Sequence, residues 1–275
     1  MKLYFAAALL AFTTTEALAD AERGAYLVNA VMTCDSCHTT RGSAGAAQNR
    51  FTGGPQTWDT PWYTVKGSNI TPDKETGIGS WSDHDVKKAL TEGVRPNGVP
   101  LAAQMPYTFY KILTPGDLND IVAYIKTVPA VRNEVQPPSY KAHLDVPLIP
   151  GGERSINEAG LDDPVRRGFY LATIAHCMNC HAKGPDDLLN FQTGLGKGGH
   201  VMSGSAGPVV AANITSHRTK GVGSWTDDQL KRALSQGLHR EGRPLKPPMG
   251  ARFSKMTERD IEAIVAWMRT IPPLE

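Results

Sequence analysis

The amino-acid sequence repeats itself at a shift of about 144 residues. The segment NIT at residues 69–71 recurs at 213–215, and GIGSWSD at 77–83 recurs as GVGSWTD at 221–227. The chain of 275 residues is long enough for about two domains. A repeat of this period therefore predicts two copies of one small folded unit rather than a single large core.

Both copies have the pattern of mostly helical units. A first helix is predicted over about residues 21–31 and again over about 164–175. Two further helices in each copy are marked by capping residues. These are the N-caps Ser82, Thr226, Thr114 and Thr257, the capping-box partners Asp85 and Gln229, and the terminal glycines Gly93 and Gly237.

The predicted fold class is mostly α, with two tandem domains at residues 20–130 and 164–275. Between them, residues 131–163 are predicted to form a proline-rich linker. Six prolines stand from Pro129 to Pro164, and no helical period runs through this part of the sequence. We therefore expect the linker to be stiff and extended.

Residues 1–19 have the layout of a secretory signal peptide. Lys2 is followed by a short apolar run at residues 3–12 and by the small-residue site ALA at 17–19. The alternative, an uncleaved membrane anchor, would need a longer apolar run. We therefore expect cleavage after Ala19 and export, which in a bacterium means a periplasmic protein.

All four cysteines lie in two copies of the motif C-x-x-C-H, at residues 34–38 and 177–181. This pentad is typical of covalent haem c attachment. Two thiols on one helical turn can each form a thioether with a haem vinyl group, and the following imidazole then ligates the iron. The sequence therefore predicts two haem c groups. The predicted attachment residues are Cys34, Cys37, Cys177 and Cys180, and the predicted proximal iron ligands are His38 and His181.

Three other uses of the cysteines are less favoured. A zinc site would need the two C-x-x-C pairs much closer in the sequence. A thioredoxin-like redox pair would need a βαβ context, which the pattern lacks. Disulfides suit an exported protein but would leave the repeated histidine unexplained.

The repeat also indicates the second iron ligand of each haem. Met105 and Met249 align at the shift of 144, and they follow His38 and His181 by 67 and 68 residues. Both stand in proline-containing loops before the last helix. We therefore predict His/Met ligation at both irons, which favours electron transfer because it leaves no open position for a substrate.

Several other candidate side chains are interpreted as packing residues. Met202 has no counterpart in the first copy, and Met256 aligns with Leu113. Trp81 and Trp225 are matched, so contact with a haem edge and simple core packing both remain open for them.

Each half resembles a class I cytochrome c domain. The resemblance rests on Gly24 or Gly168 in the first helix, the C-x-x-C-H motif, the later methionine, and Tyr124 or Trp267 in the last helix. In that family the first and last helices cross with the glycine against the aromatic residue. The resemblance therefore implies two class I-like haem-binding domains.

The stretch at residues 69–82, together with 93–96 and 105–107, resembles the multihaem cytochrome c subunits of membrane-associated bacterial dehydrogenases. Those subunits accompany alcohol, gluconate, sorbitol and molybdenum-hydroxylase-type catalytic subunits. Many of them have three haem modules and a C-terminal membrane-binding segment. This sequence has two modules and ends IPPLE at 271–275, so we expect membrane association only through a partner.

The predicted function is that of a periplasmic dihaem cytochrome c that passes electrons from a partner dehydrogenase to a respiratory acceptor. The alternative is an enzyme, either a dihaem peroxidase or a sulfur-compound oxidoreductase. A peroxidase should leave one iron open, and a sulfur enzyme with a cysteine axial ligand would need a fifth cysteine. A net charge of +2, from 29 basic and 27 acidic residues, makes nucleic acid an unexpected partner.

Overall fold

A computed structural model describes residues 19–40, 49–184, 186–202, 207–250 and 252–275 of the chain. The predicted signal peptide, apart from Ala19, lies outside these described residues. Helices dominate the described parts, and the strands are short, so the mostly α fold class is confirmed. No helix among the described residues combines the length and the apolar character that crossing a bilayer requires.

The helices follow one another in the same order in both halves, except that the first half has one more short helix than the described residues of the second half. In the first half they are α1 (Ala21–Tyr26), α2 (Asp35–His38), α3 (Asp83–Glu92), α4 (Tyr107–Tyr110) and α5 (Pro115–Thr127). In the second half they are α6 (Pro164–Ile174), α7 (Met178–His181), α8 (Asp227–Gln236) and α9 (Glu258–Met268). Helix α1 continues as one π-helical segment over Leu27–Val31, so the first helix covers the predicted span.

Capping residues begin and end these helices where the sequence predicts. Ser82 accepts a hydrogen bond from the backbone of Asp85, whose side chain binds the Ser82 amide in return. Thr226 and Gln229 form the same capping box at α8. The αL terminal residues are Gly93, at φ 69°, and its counterpart Gly237, at φ 66°.

The first and last helices of each half pack against each other, α1 on α5 and α6 on α9. Gly24 makes the first contact possible, because a Cβ at this position would lie 1.9 Å from the Asp120 carbonyl oxygen. Gly168 makes the second, because its Cβ would lie 1.8 Å from the Ala263 carbonyl oxygen. After these carbonyl groups, the nearest atoms would be the Cβ atoms of Tyr124 and Trp267, the aromatic neighbours that the sequence resemblance implies.

The strands form two small antiparallel sheets. β1 (Thr57–Asp59) pairs with β2 (Tyr63–Lys66), and β2 pairs in turn with β3 (Ser139–Tyr140). β4 (Val201–Met202) pairs with β5 (Val209–Val210). Since β3 lies in the predicted linker, that segment is not free-standing but is anchored on the first half. A 3₁₀ turn, Glu158–Asp162, also lies in the segment and was not predicted, because it is too short to show a helical period.

The two halves share a reciprocal set of hydrogen bonds. Arg23 holds Asp117 within the first half, and Tyr170 from the second half donates its hydroxyl to Asp117 Oδ2 at 2.6 Å. In the repeat-related arrangement, Arg167 holds Asp260, and Tyr26 from the first half donates to Asp260 Oδ2 at 2.5 Å. We call each of these three-residue arrangements a Tyr–Asp–Arg triad.

The buried core is continuous from one half to the other. Phe109 of α4 meets Phe191 edge to face, with ring centroids 6.1 Å apart. Both rings are at least nine-tenths buried and belong to one hydrophobic cluster that includes residues of α1, α5, α6 and α9. The halves are therefore packed together through apolar side chains as well as through the Tyr–Asp–Arg triads.

Candidate haem-binding sites

Each C-x-x-C-H motif forms a single helical turn. Cys34 stands at the start of α2, and the Cys37 amide donates to the Cys34 carbonyl at 3.3 Å. At α7 the amide of Cys180 donates to the Cys177 carbonyl at 3.2 Å. Residues three apart on a turn lie on the same side of the helix, so both thiols of each pair face one direction.

The histidine after each pair is held in the same way in both halves. His38 Nδ1 lies 2.7 Å from the carbonyl oxygen of Ser68, and His181 Nδ1 lies 2.7 Å from that of Ala212. A backbone acceptor at Nδ1 fixes the tautomer and leaves Nε2 with a free lone pair for a metal. Burial lowers the pKa of both imidazoles, which keeps them neutral as ligation requires.

A cavity of about 370 Å³ opens beside the first motif. Cys34, Cys37 and His38 line it on one side, and Met105 lines it as well. The rest of the described wall is mostly apolar, including Ile70, Ile78, Trp81, Leu90, Leu101, Ile121 and Ile125. Two thiols, an imidazole with free Nε2, a thioether and apolar walls are the donor set and surroundings of a covalently attached haem. The residues of the first half therefore fit the group that the sequence predicts.

The two candidate methionines stand in equivalent turns. The Met105 amide donates to the Ala102 carbonyl at 3.0 Å, and the Met249 amide donates to the Lys246 carbonyl at 3.2 Å. Met105 is brought into the cavity with His38. Met249 is half-buried against the same hydrophobic cluster as Cys177. Its role as a ligand stays a prediction, supported by this equivalence.

The environment of Cys34 and Cys177 differs from that of reactive redox cysteines. Burial raises the pKa of Cys34 and of Cys177 to about 12, so both stay protonated at neutral pH. Reactive redox cysteines have the opposite shift, towards the thiolate. All four thiols are free, and no group of three or more Cys, His, Asp or Glu in the described ranges is placed to hold a metal ion.

The repeated NIT segment has a structural role that sequence reasoning did not assign. The Asn69 side chain accepts from the Thr71 amide and hydroxyl and donates to the Val131 carbonyl at 2.9 Å. Asn213 repeats this arrangement and donates to the Leu274 carbonyl at 2.7 Å. The asparagine thus ties the loop after each attachment motif to the segment that follows the last helix.

Three side chains near the sites add to the sequence interpretation. Trp81 lines the first cavity, whereas Trp225 packs edge to face on His239 with ring centroids 4.8 Å apart. Met202, with no repeat counterpart, places its sulfur 3.9 Å from Cys180 Sγ. The repeat comparison could not find this contact because the methionine occurs in only one copy.

Comparisons with known proteins agree with this geometry. The family model described as "Cytochrome c" matches residues 21–129. The fructose dehydrogenase cytochrome subunit of Gluconobacter japonicus is 30% identical over 264 residues, covering 91% of this chain and 52% of that protein. The gluconate 2-dehydrogenase cytochrome c subunit of Pantoea cypripedii is 32% identical over 233 residues, covering 78% of this chain and 51% of that protein.

A third relative is nearer in length. The diheme cytochrome c-type of Cereibacter sphaeroides is 27% identical over 256 residues, covering 88% of this chain and 83% of that protein. By contrast, the chain spans only about half the length of the fructose and gluconate dehydrogenase subunits. Residues 21–129 therefore belong to the cytochrome c family, and the chain as a whole is a relative of the cytochrome c subunits of bacterial dehydrogenases.

Proposed function

We propose that this chain is a periplasmic dihaem cytochrome c that carries electrons from a partner dehydrogenase to a respiratory-chain acceptor. The observation that supports it most is the duplication of one attachment geometry. Each half presents two thiols on one helical turn and a histidine whose Nδ1 is held by a backbone carbonyl at 2.7 Å. A single turn of this kind would be weak evidence, whereas two turns in repeat-related positions support one haem c in each half.

The residues of each half hold the group and set its environment. Cys34 and Cys37 would bind the first haem covalently, and His38 and Met105 would ligate its iron. When bound, haem iron supplies reversible one-electron transfer. Cys177, Cys180, His181 and Met249 would do the same in the second half. An iron ligated by both a histidine and a methionine would leave no position for a substrate, which supports a carrier rather than an enzyme.

The tandem arrangement belongs to the same proposal. We assign the two haem domains to residues 20–130 and 164–275, with residues 131–163 as the proline-rich connection between them. The equivalent helix pairs, α1 on α5 and α6 on α9, support this division. The proposed periplasmic location rests on the signal-peptide layout of residues 1–19.

A dehydrogenase is proposed as the electron donor because relatives are named as cytochrome subunits of fructose, gluconate and alcohol dehydrogenases. We propose that the chain reaches a membrane only through that partner. The substrate of the partner belongs to the catalytic subunit, so this chain recognises a protein surface and not the substrate itself.

Co-purification with the donor tests the proposed function. We expect the haem-loaded chain to bring down a catalytic dehydrogenase subunit, and addition of that enzyme's substrate to reduce both haems. The isolated chain should stay oxidised under the same conditions, because the proposal places the substrate site on the catalytic subunit. Oxidation of the substrate, or turnover of peroxide or thiosulfate, by the isolated chain would contradict the assignment as a carrier.

A further inference from the structure

The two haem-attachment turns lie against each other at the boundary between the halves. The wall of the first cavity includes His176 and Asn179, which belong to the attachment segment of the second half. Thr33 and His176 immediately precede the first cysteine of each motif, and both adopt positive φ angles, 51° and 47°. The backbone therefore turns in the same unusual way on both sides of this boundary.

Arg252 connects these two turns. Its Nη2 donates to Thr33 Oγ1 at 2.5 Å and lies 3.4 Å from His176 Nε2. The hydrogen bonds of Arg252 therefore reach His176 in the second half and, across the boundary, Thr33 in the first half.

The Arg252 cation acts on both attachment sites. Its charge opposes the effect of burial on the pKa of Cys34 and of Cys177, and it helps to lower the pKa of His176. Within the described ranges no carboxylate forms an ion pair with Arg252. His176 is half-buried and uncharged, because desolvation first and the arginine second lower its pKa to about 3. One positive charge thus faces both sites without a neutralising ion-pair partner in that part of the chain.

The repeat has no second copy of this residue. At the shift of 144 that aligns Met105 with Met249, Arg252 corresponds to Thr108, which carries no charge. A single arginine in the second half is therefore shared by two sites that are otherwise built from equivalent residues.

We propose that Arg252 is a positioning residue shared by both haem sites, where its cation raises both reduction potentials and its hydrogen bonds hold the two attachment turns together. The proposal rests on the proposed function, since it needs a haem in each half. A positive charge favours the reduced form of a nearby centre, because reduction adds one negative charge there. Burial strengthens this effect by lowering the local dielectric response.

Neutral replacements of Arg252 test the charge. Arg252→Gln keeps hydrogen-bonding capacity towards Thr33 and His176, and Arg252→Met keeps most of the side-chain volume. We expect both variants to lower the midpoint potentials of both haems in a spectroelectrochemical titration. Arg252→Lys keeps the cation and should leave both potentials close to the wild-type values.

Arg259→Gln is the matched control, since it removes an exposed arginine of α9 and should leave both potentials unchanged. Wild-type potentials in both neutral variants would overturn the proposal, as would a fall in the Arg252→Lys protein equal to that of the neutral variants. Haem content per chain is measured on every sample. A wild-type chain that holds only one haem would instead contradict the proposed function. Failure of the Arg252 proposal and failure of the proposed function therefore give different results.

Discussion

Replacing Gly168 with alanine is expected to destabilise the chain by at least about 3 kcal/mol. A Cβ at this position would lie 1.8 Å from the Ala263 carbonyl oxygen and 2.8 Å from Trp267 Cβ. The clash is with the backbone of α9, so α6 and α9 must separate before the methyl group fits. The loss is measured by chemical denaturation of the haem-loaded protein, read by far-UV circular dichroism.

Gly116→Ala is the control for this effect. A Cβ at Gly116 would meet only the end of the Glu158 side chain, at 2.2 Å, and that carboxylate can move away. The control should unfold within about 1 kcal/mol of the wild type, because a methyl group near a helix start has little else to meet. Equal stability of Gly168→Ala and the wild type would show that the two helices do not cross as closely as described.

Replacing Asp260 with alanine is expected to cost about 3–5 kcal/mol, because it removes one partner of a buried ion pair. Asp260 is 1% exposed, and it accepts hydrogen bonds from Arg167 and from the Tyr26 hydroxyl. Without the carboxylate, the Arg167 cation and the tyrosine hydroxyl lose their acceptor inside the protein. Denaturation curves of the two proteins measure the difference.

Two further variants separate the ion pair from the contact between halves. Tyr26→Phe removes the hydrogen bond to Asp260 together with the one accepted from the Thr257 amide, and should cost about 1.5–3 kcal/mol, the range for a bond to a charged group. Asp228→Ala breaks an exposed pair with Lys231, at 3.3 Å, and should cost at most about 1 kcal/mol. If Asp260→Ala lowered the free energy of unfolding no more than Asp228→Ala does, that result would contradict the buried Tyr–Asp–Arg triad.

The helices and the attachment turns could be predicted because their signals are local. Ser82 with Asp85 is a capping box within four residues, and Cys34 and Cys37 occupy one turn. Comparison of the two copies strengthened each signal, since an accidental match would not recur at the same shift. The same comparison singled out Met105, which the structure places in the cavity with His38.

The contacts between the halves could not be predicted in this way. Tyr26 and Asp260 are 234 residues apart, and Thr33 and Arg252 are 219 apart, so no periodicity connects them. Tyr26 and Tyr170 were visible as matched positions, but a repeat does not show that each side chain bonds the opposite copy. The role of Arg252 could not be recognised from the sequence, because this residue has no counterpart in the first copy.

We propose that His38 with Met105, and His181 with Met249, would ligate the irons of two haems. Absorption and electron paramagnetic resonance spectra of Met105→Leu and Met249→Leu test it most directly, because leucine keeps the side-chain volume and removes the sulfur. Met202→Leu is the control beside Cys180. We predict two low-spin haems in the wild type and in the control, and loss of methionine ligation at one haem in each of the other variants. A Met249→Leu protein with two unchanged methionine-ligated haems would contradict the account, most plainly if Met202→Leu lost one of them.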